Sequence, residues 1–122
     1  MDPARFETVC KITPKGLDRP FFNLYNISMK VNTNNIGGDV IKANAVYTLR
    51  DNKTLKNLVL SQTILHVGQN TNGHYHQGQE EVYFFMYGRG SIQVGDNMYE
   101  VEGGDIVLIP DGLFHKVWNT GE

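Results

Sequence analysis

The chain has 122 residues, with 11 basic and 13 acidic side chains and a formal net charge of −2. That length suits one domain with one core. The near-neutral balance, with no basic run to track phosphates, argues against nucleic acid as a partner. The longest apolar run, Val82–Met86, is far too short to span a bilayer, so no membrane partner is expected. The first residues, Met1-Asp2-Pro3-Ala4-Arg5, lack the basic-then-apolar layout of a signal peptide. Cys10 is the single cysteine and makes no internal disulfide, so nothing calls for an oxidising compartment and a cytoplasmic location is expected.

Asp2 followed by Pro3 fits an N-cap and a first helical position, which predicts a short helix over Pro3–Val9. Pro14, Gly16 and Pro20 interrupt regular structure beyond it. Residues 1–20 therefore read as an N-terminal segment and residues 21–122 as the folded domain. Within Phe21–Val31, Ile27, Met29 and Val31 alternate with polar residues and predict a half-buried strand. Asn32–Asp39 is a polar turn. Val40–Leu49 reads as a second strand and Arg50–Thr54 as another turn. Leu58–Val67 is a stronger strand. Leu58, Leu60, Gln62, Ile64 and His66 share one face, and Val59, Ser61, Thr63, Leu65 and Val67 share the other.

From Gly68 the rhythm shortens. Short strands are expected at His74–His76, Glu81–Tyr87, Ser91–Val94, Met98–Val101, Ile106–Ile109 and His115–Asn119. Gly95-Asp96-Asn97 joins the third and fourth of these as a compact hairpin loop. Most of the 13 glycines fall in this region, where the chain reverses. Many short, evenly spaced strands predict an all-β sandwich or barrel.

Three of the four histidines and one glutamate stand out in this half of the chain. His74 and His76 are two apart, and on a strand both imidazoles enter the same side. Glu81 begins the next strand after one turn. His115 comes after the turn Pro110-Asp111-Gly112. Three nitrogens and a carboxylate oxygen suit Fe, Mn, Ni, Co, Cu or Zn as a single divalent ion. Taken alone, a His-x-His pair is weak evidence, because histidines on strands are more often solvent-facing or satisfied by a hydrogen bond. By parity Tyr83 and Phe85 share a face with Glu81, and Val117 shares one with His115. Phe84, Met86 and Trp118 then face the other way, toward a second sheet or a second subunit. Which face of residues 58–67 points inward stays open, and so does the role of His66.

The spacing of the whole stretch carries more. Gly68, five residues, His74, one, His76, four, Glu81, six, Gly88 resembles the first motif of the cupin family. Gly104, five residues, Pro110, one, Gly112, two, His115, three, Asn119 resembles the second. The resemblance covers residues 58–119 closely. It implies an all-β, antiparallel, jelly-roll-like cupin barrel, with His74, His76, Glu81 and His115 as metal ligands and a homodimer as the common assembly. Gly88, Gly104, Gly112 and Pro110 are expected to shape turns, and Asn119 to bond backbone near the barrel end.

Fold does not choose the reaction. Gly73-His74-Tyr75-His76 and Glu81-Val82-Tyr83 are similar to the pattern of the cupin-type phosphoglucose and sugar isomerases. That similarity implies a small-molecule substrate of the sugar type, Glu81 as ligand and proton carrier, and Tyr83 as a substrate contact. The chain departs from that pattern in a short loop before His74. It also lacks a Lys or Arg pair for a phosphate: Arg89 and Lys116 are the only basic residues of the motif region and are expected to face solvent. A non-haem iron dioxygenase with the same four ligands and a non-catalytic sugar-binding cupin are the alternatives.

Overall fold

The structure is a computed structural model that describes residues 6–14, of which 7–14 as backbone alone, and residues 28–121. Nine strands are described: β1 (Phe6–Pro14), β2 (Asp39–Ala43), β3 (Tyr47–Asn52), β4 (Leu58–Leu65), β5 (Glu81–Tyr87), β6 (Arg89–Val94), β7 (Asn97–Glu102), β8 (Ile106–Ile109) and β9 (His115–Asn119). They form a six-stranded sheet of order β2-β3-β4-β1-β5-β8 and a three-stranded sheet of order β7-β6-β9. Every pairing is antiparallel. The architecture is all-β, with no helix among the described residues, and the two sheets do not close into a continuous ring of hydrogen bonds. Among those residues no helix is long and apolar enough to cross a membrane.

The inner faces of the sheets meet in one apolar core. Phe6, Leu65, Phe85, Ile92, Val94, Val101, Ile109 and Val117 are buried together. The Phe6 and Phe85 rings stack, with centroids 5.2 Å apart and an interplanar angle of 9°. Gly90 lies beside this stack. A Cβ there would collide with the Trp118 carbonyl and the Phe6 ring, so only glycine lets β6 approach.

Several expectations are corrected. The helix over Pro3–Val9 does not form over its described part, because Phe6–Val9 open β1. Thr8, Val9, Ile12 and Thr13 favour extended backbone. A short helix gains little on its own, whereas β1 completes the ladders of both β4 and β5. Residues 6–14 are thus an interior strand of the larger sheet rather than a segment outside it. The single strand over Val40–Leu49 is two strands, β2 and β3. Asn44 makes the reversal: its Oδ1 accepts from the backbone N–H of Val46 at 2.8 Å and of Tyr47 at 2.9 Å. This Asx-type turn needs no glycine or proline. Arg50–Asn52, read as a turn, belong to β3. Of the strand expected over Phe21–Val31, residues 21–27 lie outside the described residues, and 28–31 are not in a strand.

Strands from Glu81 onward fall where the sequence places them. Glu81–Tyr87, Ile106–Ile109 and His115–Asn119 match residue for residue. Gly88, Gly104 and Gly112 have positive φ, as expected of turn glycines.

Candidate metal centre

The site is built where the chain before β5 runs along β9. Gln69–His74 is not a regular strand, yet it pairs with the edge of β9. The Thr71 N–H donates to the Val117 carbonyl at 2.9 Å, and Asn119 N–H to the Gln69 carbonyl at 2.9 Å. His74 and His115 exchange both backbone hydrogen bonds, at 3.1 and 2.9 Å. Directly paired residues on antiparallel segments place their side chains on the same side. That pairing sets the two imidazoles against each other, with ring centroids 4.3 Å apart. Gly73 permits it: its φ is +75°, and a Cβ would run into the Phe114 ring. The short strand expected at His74–His76 is therefore only a bridge at His74.

His74, Glu81 and His115 each offer a ligand atom, and these atoms lie within 4.8 Å of one another. His115 Nε2 is 2.8 Å from Glu81 Oε2 and 2.9 Å from His74 Nε2. His115 Nδ1 is 3.1 Å from the Leu113 carbonyl oxygen, which is an acceptor only. The proton of the neutral ring therefore sits on Nδ1, and Nε2 turns a lone pair toward the carboxylate and His74. Lone pairs 2.8–2.9 Å apart repel unless a proton or cation lies among them. Bonds of about 2.1 Å at right angles separate ligand atoms by about 3.0 Å. The donor set and its spacing thus fit a divalent ion. The side chains of Glu81 and His115 are 1% and 3% exposed, whereas His74 is exposed at the rim.

His76 stands slightly apart. It is exposed, its ring lies 4.6 Å from that of His74 and 6.4 Å from that of His115, and it is not one of the three clustered ligands. Its backbone is tied down instead. The Gly112 N–H donates to the His76 carbonyl at 3.0 Å, and the Gly78 N–H donates to Asp111 Oδ1 at 2.6 Å. Asp111 thus moors the loop carrying His76 to the turn that leads to His115. In sequence it reads only as a turn residue. Thr71, whose hydroxyl accepts from the Val117 N–H at 3.0 Å, carries no sequence signal of its role either.

The cluster opens on a cavity of about 450 Å³. His74, His76, Glu81, Tyr83 and His115 line one part of it. Tyr47, Leu49 and Asp51 of β3, and Val59, Ser61, Thr63 and Leu65 of β4, line the rest with Phe6 and Val117. The inward face of residues 58–67 is therefore the one carrying Ser61, Thr63 and Leu65. Gln62 faces elsewhere, its amide 3.4 Å from the Thr33 carbonyl, and His66 does not line the cavity. Tyr83 is buried, and its ring meets that of His115 edge-on at 5.8 Å. Burial first, and the Glu81 carboxylate second, hold its phenol well above the usual tyrosine range, so it stays a neutral donor. Arg89 is solvent-exposed near Glu102, and the Lys116 ammonium lies over the Trp118 ring at 5.2 Å. Asn119 donates from its amide to the Leu65 carbonyl at 2.9 Å, a backbone role as expected.

A two-sheet antiparallel fold with a His-Glu-His cluster in its cavity defines a cupin-like metal-binding protein. The family model described as "Cupin domain" matches residues 62–122, and this chain belongs to the cupin family. It is 37% identical over 62 residues to an uncharacterised protein of Methanocaldococcus jannaschii, covering 51% of this chain and 50% of that protein. It is 41% identical over 44 residues to an uncharacterised protein of Streptomyces coelicolor, covering 36% and 42%. The chain thus spans half or less of the length of the curated relatives it matches. No solved structure matches it significantly.

Proposed function

We propose that the chain is a metal-dependent isomerase or epimerase that shifts a proton between neighbouring carbons of a small substrate that carries no phosphate, such as an unphosphorylated sugar. One observation carries this reading. Glu81 and Tyr83, two apart on β5, are both buried and line the same cavity as His74 and His115. A carboxylate and a neutral phenol side by side form an acid–base pair. His74, Glu81 and His115 would hold the ion, with His76 as a fourth ligand from the rim. The bound ion would supply Lewis acidity to a carbonyl and its neighbouring hydroxyl. Glu81 takes the proton from one carbon and returns it to the next. Tyr83 donates a hydrogen bond to the oxygen on which charge develops, and nothing is oxidised or reduced. Among the described residues lining the cavity there is no Lys or Arg, which disfavours a phosphorylated substrate.

Tyr83→Phe keeps the buried ring and removes only the hydroxyl. It is expected to keep the metal and to lower kcat by roughly a hundredfold, measured as exchange of the substrate's carbon-bound hydrogen with deuterated solvent. Unchanged exchange in Tyr83→Phe would remove Tyr83 from the mechanism. The second reading rests on the cluster itself, because two histidines and one carboxylate are also the donor set of non-haem iron oxygenases. Oxygen uptake by the ferrous protein with a catechol or thiol, without sugar isomerisation, would decide for it.

A second copy of the chain is the proposed partner. Ile106 and Leu108 on β8 are 56% and 69% exposed, opposite Phe84 and Val82 of β5. These residues make an apolar outer stripe of the kind that homodimers cover. Sedimentation should show a dimer that Leu108→Lys converts to monomer, whereas a monomeric wild type would refute the assembly.

A further inference from the structure

We infer that Asp51, held by Ser61, is a second anchoring point in the cavity that selects ligands carrying a hydrogen-bond donor, above all a cationic one, at the end away from the metal. This deepens the reading above and rests on it only for the metal end.

The cavity lining carries two groups of charged or metal-ligating side chains on different strands. One is the metal cluster. The other lies on β3 and β4, where the register pairs Asp51 with Ser61 and Leu49 with Thr63. The Ser61 hydroxyl donates to Asp51 Oδ1 at 2.7 Å. Ser61 is 6% exposed and Asp51 half-buried. A hydroxyl has one proton to give, so it fixes the carboxylate's orientation and leaves Oδ2 to accept from a ligand. No ion pair to Asp51 is found among the described residues. Its cross-strand partner Asp39 is an exposed second carboxylate that adds to the negative potential. Tyr47, Leu49, Val59 and Leu65 surround the pair with apolar surface. A carboxylate on such a wall, with no cation paired to it among the described residues, attracts ammonium or hydroxyl groups and repels phosphate or carboxylate.

The separation is set by the sheet. β1 lies between β4 and β5, so β4 and β3 stand roughly 10 and 14 Å from β5 in a flat sheet, and less in a curved one. Val82 and Leu60 are both level with Ile12 of β1, which puts Glu81 and Ser61 within a few residues of the same height. A ligand with a chain of roughly six to ten carbons spans such a gap and can meet the ion with one end and Asp51 with the other.

The test uses straight-chain hydroxamates of roughly six to ten carbons on the metal-loaded protein, because hydroxamates chelate the ion whatever the natural reaction. Their far ends carry an ammonium, a methyl or a carboxylate group, and affinity is read by calorimetry. The wild type should prefer the ammonium over the carboxylate tail by roughly five- to tenfold. Asp51→Asn should bring the ratio below about twofold with metal content unchanged. Ser61→Ala, which keeps the charge, should retain a reduced preference. No preference in the wild type, or the full preference in Asp51→Asn, overturns the inference. Absence of any hydroxamate binding overturns it together with the metal site. Absence of isomerase activity with the preference intact overturns only the proposed reaction.

Discussion

Replacing His115 by alanine should lower metal affinity by more than a hundredfold, whereas His76→Ala should lower it by only about tenfold. The two residues look equivalent in sequence, and the structure separates them. His115 is buried, its tautomer is set by the Leu113 carbonyl, and its Nε2 lies within 2.9 Å of the two other clustered ligand atoms. Removing it deletes the atom about which the cluster converges and leaves the Glu81 carboxylate facing a void. An uncompensated buried charge is costly, so the ion that neutralises it binds less well and the fold around it weakens. His76 is exposed and outside the three-residue cluster, and water can take its place. Competition with a chelator of known affinity measures both constants. Equal losses in the two variants would mean that His76 joins the cluster on the same footing as His115.

Phe6→Ala should cost about 3–5 kcal/mol of stability, enough to consume a large part of the margin of a domain this size. Phe6 is 1% exposed, stacks on Phe85 and fills the space that Gly90 leaves open. Its strand joins β4 to β5, so the cavity left behind would lie between the wall carrying Asp51 and Ser61 and the wall carrying Glu81. The prediction is checked by denaturant unfolding of the two proteins, with the loss seen as a lower midpoint at unchanged slope. A loss below about 1 kcal/mol would show that the N-terminal strand does not hold the larger sheet together.

The metal half of the molecule is legible in sequence because its signals are local. Glycines with positive φ mark the turns after β5, before β8 and before β9, and short alternating runs lie between them. Parity places Glu81, Tyr83, Phe85 and Val117 on inner faces, and all four are buried there. The other half depends on partners far apart in the chain. Nothing in Phe6–Pro14 announces that its ladder lies between β4 and β5, and the Asp2-Pro3 pair mimics a helix start. Asn44 hides a hairpin in an apparently continuous strand, because an Asx turn leaves no glycine or proline as a marker. His74 and His76 look like one strand facing one way. The pairing of Gln69–His74 with β9 instead brings His74 to His115 and leaves His76 on a loop moored by Asp111. The inward face of residues 58–67 is clear only from the cavity, and with it Ser61 and the Asp51 carboxylate across the ladder.

The central claim is that Glu81 joins His74 and His115 in holding one divalent ion. Elemental analysis of the purified chain after metal reloading, beside Glu81→Ala treated identically, tests it most directly. The wild type should carry about one ion per chain and Glu81→Ala well under a tenth of that. A full ion retained by Glu81→Ala would contradict the account.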